Sequence, residues 1–205
     1  MPRSLPKGFK SYAQIRKEIK KEIKKNNAKN QEVKFEMLAQ ATNSDNNGLL
    51  IPLLQTTTTG TAHDQRIGNR TELLSMNLRI MHALADTGYN NCRYAIIKCR
   101  EAPPSVSAVF ETSSYNTFGG VYASWDYDVV EKVYLDKNIT LNQAVSGANV
   151  SKFKKHFLKT PMQLNYNTAA PGSLQEQLFL VLTSDSAAIP HPRVNYVMRS
   201  RFTDS

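Results

Sequence analysis

Ten of the first thirty residues are Lys or Arg: Arg3, Lys7, Lys10, Arg16, Lys17, Lys20, Lys21, Lys24, Lys25 and Lys29. Only Glu18 and Glu22 oppose them, so this segment holds +8 of the net +9. Cations at that density neutralise a polyanion. Because Lys outnumbers Arg, the expected contacts are point charges on phosphates rather than bidentate readings of bases. Such binding is non-specific and steeply salt-dependent. The other 175 residues carry sixteen basic and fifteen acidic groups. A near-neutral body leaves the electrostatics to the arm. Elsewhere, Asp126 and Asp128 beside Trp125 and Tyr127 could hold a hard cation, or be two solvated acids at a loop edge. His63, His82, His156 and His191 share no ligand-like spacing with one another or with Cys92 and Cys99. There is no Gly-rich phosphate cradle and no strand-to-helix nucleophile elbow. No set of groups nominates itself for acid–base or nucleophilic work, so the chain is not expected to be an enzyme.

The elements that position these residues follow from periodicity. Residues 1–10 contain Pro2, Pro6 and Gly8 and read as irregular. Ser11 with Gln14 has the form of a capping box opening a helix near Tyr12. Tyr12, Ile15, Ile19 and Ile23 then make one narrow apolar stripe among lysines, with Asn26-Asn27 as the expected stop. The stripe is too thin for a core, so the helix needs a packing partner. It has isoleucines but no Trp, Phe or Leu, which argues against a membrane-surface helix. No apolar run approaches the roughly eighteen residues of a membrane span, and the N-terminus lacks the apolar stretch of a secretory signal.

From residue 33 onward the period is two. Strand-like runs lie at 33–42, 74–80, 91–100, 129–136, 138–145, 155–166, 177–183 and 194–202, separated by loops rich in Gly, Pro, Ser, Asn and Thr. The stretch 111–128 is a short helix or an elaborated loop. Cys92 and Cys99, seven apart on one strand, point to opposite faces and read as two reduced thiols. The expected organisation is a basic helical arm at 1–30 and an all-β shell domain at 31–205, an eight-stranded jelly-roll sandwich.

Several stretches carry a resemblance. Residues 60–69 read Gly-Thr-Ala-His-Asp-Gln-Arg-Ile-Gly-Asn, a Gly-x-x-x-x-Gln-Arg-x-Gly loop followed by Leu78-Arg79-Ile80. Residues 134–141 read Tyr-Leu-Asp-Lys-Asn-Ile-Thr-Leu. A basic strand from Lys154 leads through Pro161 and Gln163-Leu164 to Asn165-Tyr166-Asn167, and a last strand runs from Tyr196 to Asp204. In that order they resemble the satellite tobacco necrosis virus-like coat proteins, a single jelly-roll capsid family shared with small circular single-stranded DNA viruses.

The resemblance implies a closed T=1 shell of sixty copies, with arm helices turned inward onto a single-stranded genome and their isoleucines packed against other arms. It implies a virion protein made in the host cytoplasm, whose partners are itself and its genome, with no membrane. The Gln65-Arg66-Ile67-Gly68 segment reads as a structural turn, Gly68 taking an unusual backbone angle and Arg66 capping carbonyls or pairing with an acid. No cofactor is called for. The family's calcium between subunits would leave Asp204 as a ligand here, but Ile67 and Arg70 stand where oxygen-bearing side chains are expected. Sixty arms bring roughly 480 positive charges, which suits a genome on the order of a thousand nucleotides. A genome that short encodes little beyond a coat protein, which points to a satellite-like agent and so to RNA over DNA, although Lys–phosphate contacts alone do not distinguish the two. The alternative is a non-capsid nucleic-acid-binding β-sandwich that uses the same arm.

Overall fold

The computed structural model describes residues 12–30, 32–85, 88–142, 150–170, 172, 174–175, 177–187 and 189–204, without the side chains of 24–30 and 117–118. The chain divides into two compact units, Met1–Glu32 and Val33–Ser205. In the first, helix α1 spans Tyr12–Asn30, about 28 Å of helix. It runs through the Asn26-Asn27 pair expected to stop it. Asparagine costs a helix only tenths of a kcal/mol per residue, and neither Gly nor Pro follows before Asn30. No helix among the described residues is long and apolar enough to cross a membrane.

The second unit is a jelly-roll β-sandwich. Its strands are β1 (Val33–Asn43), β2 (Leu49–Pro52), β3 (Arg70–Ala83), β4 (Tyr89–Cys99), β5 (Val130–Asn142), β6 (Ser151–Asn165), β7 (Gln177–Ser184) and β8 (Arg193–Asp204). They form two four-stranded sheets, β1-β8-β3-β6 and β2-β7-β4-β5. Every pairing is antiparallel, and the pairs β1 with β8, β2 with β7, β3 with β6 and β4 with β5 nest inside one another. One long antiparallel hairpin, wrapped so that successive segments land on alternate sheets, gives this pattern.

Eight strands were expected and eight are found among the described residues, with different membership. Runs 129–136 and 138–145 fall together on a single strand, β5, as far as Asn142; residues 143–145 lie outside the described residues. Asp136, Lys137 and Asn138 break its apolar pattern yet stay in register against Ala95, Tyr94 and Arg93. The strand missing from the sequence reading is β2, four residues within the apolar run at 48–54. It lies at a sheet edge, where Pro52 can end it without loss to the ladder.

Between the sheets the alternating residues interlock: Met76, Leu78 and Ile80 of β3, Tyr196 and Met198 of β8, Cys92, Tyr94 and Ile96 of β4, and Leu178, Leu180 and Leu182 of β7. The odd-numbered residues of β4 point away from this core into a second one. There Ala95, Ile97 and Cys99, with Phe179 and Val181 of β7, meet Val106, Val109, Phe110, Ala123 and Trp125. The covering segment contains a 3₁₀ turn at Ser107–Val109 and helix α2 at Thr112–Tyr122, kinked at Gly119 where φ is +67°. The ambiguous stretch is therefore a lid on the outer face of one sheet. Cys92 and Cys99 are free, buried and in different cores.

Arg93 fastens that lid. Its Nε and Nη2 donate to Asp136 at 2.8 and 2.6 Å, and Nη1 donates to the carbonyls of Gly120 and Ala123 at 3.2 and 2.6 Å. The guanidinium lies 4.4 Å from the Trp125 ring centre, and Trp125 Nε1 donates to Asp136 at 2.8 Å. Burial pushes the Asp136 carboxyl up. The hydrogen bonds from Arg93 and Trp125 and the Arg93 charge prevail, holding it below the usual carboxylate range.

Candidate nucleic-acid interface

Helix α1 carries its cations in the open. Arg16, Lys17, Lys20 and Lys21 are exposed. Lys24, Lys25 and Lys29 lie on the helix, but their side chains are outside the described residues, as are Arg3, Lys7 and Lys10. The apolar stripe is open as well: Ile15, Ile19 and Ile23 keep 43%, 53% and 54% of their surface and Tyr12 keeps 82%. In water a helix of this length draws little stability from its own propensity, so covering the stripe would add to it. The fourfold spacing of the isoleucines is the geometry by which helices pack on helices.

Of the three candidate carboxylates, Asp126 and Asp204 make contacts within the fold. Asp126 Oδ1 accepts the Asp128 N–H at 2.9 Å, a turn that opens β5, and Asp128 is exposed. Asp204 is already engaged. Its Oδ2 lies 2.9 Å from Nζ of the fully buried Lys34, and its Oδ1 accepts the Ile67 N–H at 2.8 Å. Among the described residues no three His, Cys, Asp or Glu side chains gather as a metal site.

The 60–69 loop is built around Arg66, which is fully buried. Its guanidinium donates to the carbonyls of Gly68 and Thr168 and, at 3.1 Å, to Asn69 Oδ1, and it lies 3.9 Å from the Tyr166 ring centre. Gly68 sits at φ +79°, a region that favours glycine. The loop is a turn locked onto the sandwich, with its one cation buried. It offers no Lys or Arg charge to a polyanion.

The two thiols and two of the histidines belong to the sandwich interior or its margin. Burial pushes Cys92 up to about 12 and Cys99 to about 11, far from a reactive thiolate. His82 is fully buried beside Tyr94, and His156 Nε2 lies 2.8 Å from the Tyr94 hydroxyl.

One group of residues is missing from the sequence reading. The body's positive charge is neutral only in sum. On the outer face of the β1-β8-β3-β6 sheet the fold gathers Arg79, Lys155, Lys159, Arg193, Arg199 and Arg201, all exposed. They come from three strands far apart in the chain. The signal available beforehand was that Arg193, Arg199 and Arg201 in one run, and Lys155 and Lys159 in another, all fall at odd positions and so share one strand face.

No family model matches the chain, and no curated protein matches it. A solved structure titled "Desmodium yellow mottle tymovirus" is similar over all of this chain and 95% of its own, at 8% identity and a TM-score of 0.37. A likeness that loose leaves function to the residues themselves.

Proposed function

We propose that this chain is a viral coat protein that assembles into a small T=1 shell and packages a single-stranded genome, RNA in preference to DNA, through its N-terminal arm. The division into a basic arm at 1–30 and a shell domain at 31–205 belongs to the same reading, as do residence in the virion and synthesis in the host cytoplasm. The observation that carries it is helix α1, which presents lysines and an uncovered isoleucine stripe together. The lysines call for a polyanion. The isoleucines call for further copies of the same helix, and a closed shell supplies both. The assigned cations are Arg3, Lys7, Lys10, Arg16, Lys17, Lys20, Lys21, Lys24, Lys25 and Lys29, and the packing residues are Tyr12, Ile15, Ile19 and Ile23. Catalysis has no part in this reading.

Negative-stain microscopy and light scattering of the purified protein test it. Uniform spheres enclosing RNase-sensitive material of about a thousand nucleotides are expected, the length following from charge balance. A monomer at both low and high salt would leave a nucleic-acid-binding sandwich without a shell. DNase-sensitive material would overturn the RNA assignment. Replacing Ile15, Ile19 and Ile23 by Ser should lower particle yield while leaving arm charge intact; unchanged yield would remove the stripe from assembly.

A further inference from the structure

The two sheets end differently at their outer faces. One is roofed by the second core. On the other, the cross-strand register lines up five rows of outward residues: Phe35–Arg201–Ser75–Lys159, Met37–Arg199–Asn77–Phe157, Ala39–Val197–Arg79–Lys155, Ala41–Asn195–Met81–Phe153 and Asn43–Arg193–Ala83–Ser151. These rows hold six cations and no carboxylate. The first acid, Glu72, comes one row further on, beside Thr203. Large apolar side chains stand among the cations. Phe153, Phe157 and Met37 keep 61%, 62% and 63% of their surface. Along β6 the order Phe153, Lys155, Phe157, Lys159 alternates ring and charge at about 6.6 Å per step, so a ring–charge pair repeats every four residues. Across the sheet, the Arg199 guanidinium lies 4.1 Å from the Phe35 ring centre and offers its own planar face. A groove of about 370 Å³ runs between Phe35, Ser75, Asn77, Phe157, Arg199 and Arg201.

We propose that this face is a second nucleic-acid surface, on which single-stranded nucleic acid lies with bases stacked on Phe153, Phe157 and the Arg199–Phe35 pair and phosphates on Lys155, Lys159, Arg79 and Arg201. Charge complementarity selects a polyanion. The interleaved rings select one that has unpaired bases, because a base stacks on any aromatic or guanidinium plane whatever its sequence. A sulfated glycan would use the cations and leave the rings idle. A membrane would want apolar residues in one block, whereas here they are dispersed among charges. The assignment deepens the packaging reading but does not depend on the arm. It makes the shell domain itself a partner of the strand.

The full-length chain tests this with two sets of variants. One removes charge: Arg79→Gln, Lys155→Gln and Lys159→Gln together. The other removes rings: Phe153→Ser and Phe157→Ser. All five positions are exposed, so thermal melts should stay close to the parent. Anisotropy of labelled oligo(dT) and oligo(rU), titrated across a salt series, reads the binding. The charge variant should lower the salt slope by about two, at roughly 0.7 per lost phosphate contact. The ring variant should keep the slope and lose roughly tenfold in affinity per ring. Phe157→Trp should retain binding and show tryptophan emission quenched by the oligonucleotide, against a quiet background from the 6%-exposed Trp125.

Unchanged affinity in the ring variant would overturn the proposal. So would an equal loss for heparin and oligonucleotide, since heparin has no bases, or a change in particle size with binding intact, which would make the face a contact between copies. Each measurement is repeated with Arg16→Gln, Lys17→Gln, Lys20→Gln and Lys21→Gln. If these arm changes cost nothing while the face variants do, the arm reading falls and the face stands. If only the arm changes cost affinity, the face assignment falls alone.

Discussion

The two outer faces of the sandwich start from the same strand geometry and end as opposites. On β4 and β7 the outward residues are Ala95, Ile97, Cys99, Phe179 and Val181, and a segment of nearly thirty residues folds back to bury them. On β8 and β3 the outward residues are Arg193, Val197, Arg199, Arg201 and Arg79, and they meet solvent. One face is committed to holding the molecule together. The other adds little to its own stability and keeps its chemistry for something outside the chain. Net charge hides this, because a body with one excess cation looks inert until its charges are placed on surfaces.

Aromatic truncation is the sharpest way to probe that contrast. Phe110 is buried between Trp125 and Tyr115, with ring centres 4.7 and 5.8 Å away. Phe110→Ala should cost about 4 kcal/mol in a urea melt. Phe157→Ala, the same change on the open face, should fall within about 0.5 kcal/mol of the parent. Similar costs at both positions would mean the open face is a buried one.

Next in size is Arg93→Ala, which frees the lid and strands Asp136 beside Trp125. Losing one partner of such a pair costs about 3 kcal/mol, toward the lower end of the range because Asp136 keeps some solvent contact. Proteolysis within residues 102–129 should accelerate in parallel, while cleavage elsewhere in the sandwich stays slow.

The third probe is acid. His82 lies on β3, on the core side of the open sheet, across from Lys152 and in contact with the Tyr94 ring. Burial lowers its pKa from 6.5 to about 4. The neutral ring's contribution is therefore complete above pH 6.5 and is lost as pH falls toward 4, a change of about 3 kcal/mol. His82→Leu should flatten urea stability across that window. Asp136, held below its ordinary value, gives way only as pH drops further, through its own depressed pKa. A profile unchanged by His82→Leu would place the acid-sensitive group elsewhere.

Much of the fold could be read from alternation, because strands with one buried and one wet face write their period directly into the sequence. β3 and β8 are of this kind. β2 was hidden because four residues ending in Pro52 carry too few repeats to show a period. β5 looked like two strands because Asp136, polar by sequence, is in the ladder as the partner of Arg93 and Trp125. The arm helix was legible from its isoleucine spacing, whereas its length past Asn27 was not, since a weak breaker acts only where something competes with the helix. The open face was beyond reach for a different reason. Arg79, Lys155 and Val197 become one row only through the β6-β3-β8 register, and register between segments that far apart is a property of the folded chain.

The nesting of strand pairs also sets a clock. Only β4 and β5 are neighbours in sequence among the paired strands, so they are the natural place for folding to begin, with each enclosing pair closing a longer loop. The outermost pair, β1 with β8, joins Asn43 to Arg193 across about 150 residues. At a ribosome's pace of about 5–20 residues per second, β1 waits roughly eight to thirty seconds for its partner to be made. The lysine-rich helix ahead of it is out and charged throughout that interval. On the proposed packaging role, nucleic acid can therefore reach the arm before the sandwich is complete.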